Sequence, residues 1–190
     1  MTAESTILRH GDAPASSVTG LIWIASFPKS GNTWTRTFLH NLLSLLDGRD
    51  EEHDINAMNE FSTWDLAAHR YEPHLGKPAT EATRAEIAAV RPIVQAEIAA
   101  QTDGLALVKT HHALVMDRGH PTINFKVTSG AVYLVRNPLD VAISYAHHMD
   151  SDIDHAIEAM AHEDMETAVN EKSAAMRAAG RTKRMPASSL

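Results

Sequence analysis

Five consecutive apolar residues, Leu21 through Ala25, follow a polar start rich in Ser, Pro and Gly. A short unbroken run of this kind predicts a strand buried on both faces, with a loosely ordered segment before Gly20. Ser26 to Asn32 reads as a turn. From Thr33 onward Trp34, Phe38, Leu39, Leu42, Leu45 and Leu46 recur every three or four positions. That spacing predicts a helix ending before Gly48, with one apolar stripe along it. Residues 50–78 mix acids, aromatics, Pro73, Gly76 and Pro78 without a period, as expected of a long connection with short helical pieces. Residues 79–101 have helical composition, with Pro92 as a start or kink. Two further apolar runs, 105–108 and 131–135, read as strands, and Asn137-Pro138 opens another helix. Residues 150–171 are acid-rich and helix-like.

Strands alternating with helices predict an α/β fold with a parallel sheet, helices on both faces, and ligands outside the carboxyl ends of the strands. Lys29 follows the first apolar run, Lys109 and His111 the second, and Arg136 the third. All are expected to converge on one crevice. There is no internal repeat.

Composition narrows the function. The 190 residues suit one domain with a small appendage: a flexible segment 1–19, a domain over 20–172 and a tail 173–190. Seventeen Lys plus Arg against 24 Asp plus Glu give a net charge of -7. This argues against nucleic acid or an anionic membrane as a partner, so an anionic ligand needs a local cationic pocket. The basic tail carrying Lys172, Arg177, Arg181, Lys183 and Arg184 is expected to be solvated and mobile. With no Cys, a disulfide framework, a thiolate metal site and a thiol nucleophile are excluded. No apolar run approaches the ~18 residues of a membrane span and no signal peptide opens the chain, so the expectation is a cytoplasmic protein.

Between the first strand and helix, Ser26-Phe27-Pro28-Lys29-Ser30-Gly31-Asn32-Thr33-Trp34 forms an anion cradle. The free N–H groups of the first helical turn point into the loop, Gly31 permits close backbone approach, Lys29 adds a charge, and Ser30 and Thr33 add hydroxyls. Because Lys29 precedes the glycine, the segment departs from G-x-x-x-x-G-K-[ST] and disfavours an ordinary nucleoside triphosphatase. PKSGNTW after IWIAS instead resembles the 5′-phosphosulfate loop of the cytosolic-type sulfotransferases, usually PKSGTTW, with Asn32 replacing the first Thr. The resemblance implies a P-loop-NTPase-like three-layer sandwich. It also implies that Lys29, Ser30, Gly31, Asn32 and Thr33 hold the 5′-phosphosulfate of 3′-phosphoadenosine 5′-phosphosulfate (PAPS), with Trp34 beside the adenine.

Leu107-Val108-Lys109-Thr110-His111-His112 resembles the family's KTH segment, which makes His111 the catalytic base and Lys109 a stabiliser of charge on the transferring group. His112 faces the other way if the strand period persists, and is set aside. The segment from Ala131 to Tyr145, containing YLVRNPLDVAISY, resembles the family's 3′-phosphate segment; Arg136 and Ser144 match its phosphate ligands. An Arg ending this strand, where a phosphate-hydrolysing enzyme presents a metal-binding Asp, favours an anion over magnesium, and no metal is required. Asn137 reads as a helix cap and Asp140 as a dipole partner.

The implied reaction is in-line sulfuryl transfer from PAPS to a hydroxyl or amine of a small-molecule acceptor. Two other readings stay open: a magnesium-dependent, ATP-using kinase-like enzyme, and an inactive nucleotide-binding fragment. Nothing after residue 149 resembles the family's RKGxxGxWK segment, so the domain is expected to be C-terminally incomplete. Uncovered apolar surface at a lost sheet edge would then favour a homo-oligomer. His147, His148 and the nearby acids read as a solvated face rather than a metal site. Phe61, Trp64, Tyr71 and His74 mark a connection that forms a lid or acceptor pocket, or simply packs down.

Overall fold

The computed structural model describes residues 18–48 and 62–161. Phe61, the basic tail and most of the expected N-terminal segment lie outside the described residues. The chain divides after Asn137 into two compact units.

In the first unit, β1 (Gly20–Ser26) leads through the loop into α1 (Asn32–Leu46). A two-residue strand, β2 (Thr63–Trp64), precedes α2 (Ala68–Leu75), a 3-10 turn (Ala79–Glu81) and α3 (Arg84–Gln101). Next come β3 (Leu105–Thr110), a small hairpin of β4 (Met116–Asp117) and β5 (His120–Pro121), and β6 (Thr128–Leu134). The main sheet has the order β2-β3-β1-β6, and every pairing in it is parallel. This is the α/β architecture of a parallel sheet flanked by helices. Parallel strands need crossover connections, and α1 and α3 lie within them.

The unbroken apolar run of β1 is explained by its central place, with β3 on one side and β6 on the other. Leu21 and Trp23 face α3, joining Val94, Ile98, Val108 and Tyr71 in the main core. The Trp23 indole donates to Thr128 Oγ1 at 2.9 Å, so its one polar atom is satisfied inside that core. Gly20 has no room for a side chain: a Cβ would lie 2.3 Å from Ser129 Oγ.

Two expectations need correction. The connection before residue 78 carries the expected short helix, α2, with Pro73 within it, and also a parallel strand, β2, whose two residues are too few to show a period. The helix expected over 79–101 begins only at Arg84, because Thr83 sets its start with a full capping box. The Glu86 N–H donates to Thr83 Oγ1 at 3.3 Å while Glu86 Oε2 accepts from the Thr83 N–H at 2.7 Å. The spacing in α1 left the direction of its stripe open: the stripe faces outward, with Trp34 73% and Leu46 73% exposed, while Asn32, Arg36 and Ser44 are buried. Asn32 and Arg36, one turn apart, turn inward because the end of β1 and the approach to β2 offer them hydrogen-bonding partners.

The second unit contains α4 (Pro138–Met149) and α5 (Ile153–Ala161), packed through Tyr145, Ala146 and Ala156. The helix expected after Asn137 starts at Pro138, with Asp140 in its first turn. Among the described residues no helix is long and apolar enough to cross a membrane.

Candidate active site

The loop after β1 is built on two left-handed residues. Ser30 N–H donates to Phe27 O at 3.2 Å, closing a turn in which Lys29 adopts φ 66°; Gly31 follows at φ 97°. Left-handed backbone is ordinary for glycine but uncommon for lysine, and it costs of order 1–3 kcal/mol in a non-glycine residue. Gly31 opens α1 without a side-chain cap, and the first turn carries no acidic residue. No carboxylate of the first turn compensates the N–H groups and positive dipole end of the helix, the condition an anion site needs.

Asn32 has a different part from the one expected. Its side chain, 4% exposed, reaches back under the loop: Nδ2 donates to Ile24 O at 2.8 Å and to Ser26 Oγ at 3.2 Å. The side chain therefore locks the loop onto β1, and it is the backbone N–H of Asn32 that belongs to the anion cradle. Ser30 is half-buried and Thr33 is exposed on the first turn. Trp34 stacks on Phe38, ring centroids 5.7 Å apart and planes within 2°.

His111 lies just beyond β3. Its Nδ1 sits 2.8 Å from Ser26 O, and a carbonyl only accepts, so Nδ1 carries the proton and Nε2 holds the lone pair. Ser26 Oγ lies 3.3 Å from the same Nδ1. Burial pushes the His111 imidazolium below the usual histidine range; the Ser26 bond opposes this, and the Lys109 and Arg36 charges add to it. His111 is thereby neutral near pH 7, a base with its accepting nitrogen set by a main-chain hydrogen bond.

Lys109, on the same face of β3, places its ammonium 5.4 Å from the centroid of the Trp64 ring, in the range of a cation–π contact. Burial lowers its pKa, the charges of Arg36 and Lys29 lower it further, and Asp65 opposes them. Arg136 follows β6, and its Nη1 donates to the Lys29 carbonyl at 3.1 Å. Lys29, Lys109 with His111, and Arg136, expected at the ends of three different strands, are therefore brought to the carboxyl end of one sheet. Ser144 lies half-buried on α4 in the second unit.

His112 turns to the opposite face of the sheet. Its Nε2 is 3.8 Å from Asp65 Oδ2, and burial with the Arg91 charge pushes its pKa down to about 4. Asp65 is wholly buried, contacts Gln95 Nε2 at 3.4 Å, and is pushed up to about 7 by burial. Of the connection aromatics, Tyr71 packs in the core at 1% exposure and His74 pairs with Glu97 at 3.0 Å, whereas Trp64 reaches the site. Among the described residues no group of three His, Asp or Glu side chains gathers as a metal site.

Sequence reasoning missed Arg36. Only 6% exposed, it donates from Nε to Ser62 Oγ and from Nη2 to Ser62 O, the latter at 3.4 Å. One signal was available: Arg36 stands one helical turn after Asn32, on the face that enters the loop.

A sheet-end cluster of cations, an uncapped helix start and an oriented neutral histidine define a transferase site for an anionic group. The sulfotransferase-domain family matches the chain over residues 20–177, and the chain belongs to that family. No curated protein matches it.

Proposed function

We propose that this chain transfers a sulfuryl group from PAPS to a hydroxyl or amine of a small-molecule acceptor. The observation that carries the reading is the meeting of Lys29, Lys109 and Arg136 with a histidine whose free nitrogen is an acceptor. Membership of the sulfotransferase family supports sulfuryl transfer in general.

The loop fits such a donor, because its open helix start and strained Lys29 favour an anion. PAPS, when bound, supplies a sulfuryl group on a phosphate leaving group. The N–H groups of Gly31 to Thr33 and the Lys29 ammonium hold the 5′ end. His111 Nε2 takes the proton of the acceptor as its oxygen or nitrogen attacks. Lys109 offsets negative charge spread over the peripheral oxygens in the transition state; such preorganised cations supply most of the acceleration in the analogous phosphoryl transfers. Arg136 selects for the 3′-phosphate, since a guanidinium built for a phosphate loses a charge-assisted bond when that group is missing. Ser144 enters this reading through the sequence resemblance alone.

Calorimetry with adenosine 3′,5′-bisphosphate tests it. Wild type is expected to bind without magnesium and in preference to ATP, and Arg136→Ala to bind more weakly. Magnesium-dependent ATP binding with no preference for the 3′-phosphate would overturn the donor assignment. Binding without transfer of labelled sulfate to any of a panel of phenols, alcohols and amines would favour an inactive nucleotide-binding fragment.

A further inference from the structure

We propose that Arg36 is a positioning residue of the sulfuryl-transfer site: clamped on Ser62, it ties the helix that carries the anion loop to the chain entering β2, and so sets Trp64 beside the Lys109 ammonium. The inference rests on the functional reading above and adds a residue that the motif resemblance does not contain.

The geometry runs through four contacts. Arg36 stands on the inward face of α1, one turn beyond Asn32, whose side chain fastens the same helix to Ile24 O and Ser26 Oγ. Arg36 makes two hydrogen bonds to a single residue, Ser62, one to the hydroxyl and one to the main-chain carbonyl. Ser62, itself 2% exposed, directly precedes Thr63–Trp64, a strand only two residues long. Its register sets Trp64 opposite Lys109, and the Lys109 ammonium lies over the Trp64 ring.

So short a strand has few ladder hydrogen bonds of its own and needs an anchor outside the sheet. A guanidinium is suited to that task, because its planar fork addresses a hydroxyl and a carbonyl of one residue together. The Arg36 charge lowers the pKa of Lys109 and of His111. The other charge acting on His111 is that of Lys109, and Ser26 faces it from β1. Arg36 thus does two things at once, holding Trp64 in place and biasing His111 toward the form that accepts a proton.

Three full-length variants test this: Arg36→Met, Arg36→Lys and Ser62→Ala. Ring nitrogen shifts of His111 are followed by NMR across pH, and amide hydrogen exchange is followed over residues 62–65 and 105–111. Arg36→Met is expected to move the His111 titration upward, toward the ordinary histidine value, and Arg36→Lys to return it toward wild type. Ser62→Ala retains the charge, so the titration should keep its wild-type position while exchange over β2 and β3 rises about tenfold, the loss of one charge-assisted hydrogen bond. If Arg36→Met does not fold, Ser62→Ala decides: unchanged exchange overturns the clamp. A His111 titration that ignores Arg36→Met in a folded protein overturns the electrostatic half. Neither readout requires a donor, so failure of wild type to bind adenosine 3′,5′-bisphosphate would sink the functional reading independently.

Discussion

The two faces of the central sheet are organised on opposite principles. Toward α3, the side chains of Leu21, Trp23 and Val108 pack with Val94, Ile98 and Tyr71 into a nearly dry core. Toward α1, the helix turns Asn32, Arg36 and Ser44 inward and leaves Trp34, Phe38 and Leu46 in solvent. One face holds the sheet together through apolar burial, worth ~1.5–3 kcal/mol per large side chain. The other spends conformational freedom and desolvation on placing cations. Lys29 in a left-handed conformation and the mutually repelling Lys29, Arg36 and Lys109 are features that stability alone would remove. A left-handed lysine and like charges converging beside an open helix start are the physical signature of a site rather than a core.

Substitutions should separate the two faces. His111→Asn is expected to lower transfer by ~10²- to 10⁴-fold, the usual contribution of a general base, while the urea midpoint barely moves. An equal loss of stability would mean that His111 is a packing residue. Trp23→Ala should do the reverse: a loss of ~3–5 kcal/mol in urea unfolding, from a large cavity and the lost hydrogen bond to Thr128 Oγ1. Arg136→Ala is expected to weaken adenosine 3′,5′-bisphosphate by ~10- to 100-fold in calorimetry, the scale of a hydrogen bond to a charged group. Equal affinity would remove the assigned phosphate anchor.

Acidity gives a subtler contrast. On the site face, the neutral His111 has a lowered pKa, so activity should fall only below the ordinary histidine midpoint of 6.5 as the base protonates. On the α3 face, two buried groups titrate in opposite senses. His112, lowered from 6.5 to about 4, contributes stability that is complete above 6.5 and lost as pH falls toward 4. Asp65, raised from 3.8 to about 7, contributes stability that is complete below 3.8 and lost as pH rises through 7. The two slopes oppose each other between about pH 4 and 6.5, so urea midpoints should stay nearly level there and fall only toward pH 7, while Asp65→Asn should unmask the His112 slope as a midpoint that rises with pH. The smallest effect belongs far from both: Thr83→Ala should cost ~1 kcal/mol through the lost cap of α3 and leave donor affinity unchanged.

Much of this arrangement was legible along the chain. The runs at 21–25, 105–108 and 131–135 fall in the three long parallel strands; burial on both faces explains the run of the central β1, whereas β6 at the sheet edge keeps Val132 and Tyr133 exposed. Lys29, Lys109, His111 and Arg136 could be picked out because each directly follows such a run, and parallel strands deliver their carboxyl ends to one edge of the sheet. His112 could be set aside from the alternation of side chains alone. What periodicity could not reveal was β2, too short to repeat, and the hairpin β4–β5, whose turn residues Arg118 and Gly119 adopt positive φ without a flanking pattern.

The stripe of α1 was legible as a stripe, with its direction left open. Its apolar spacing determines a helix, but which face turns inward depends on what waits there: the Ile24 carbonyl, the Ser26 hydroxyl and Ser62, more than thirty positions from the strand it follows on the chain. Local pattern thus determined the elements and the residue types at their ends. Only the tertiary structure decided the orientation of α1, the tautomer of His111 and the partnership of Trp64 with Lys109. Each of these depends on a hydrogen bond or a charge contact between segments distant in sequence, and such contacts leave no trace in the order of residues within either one.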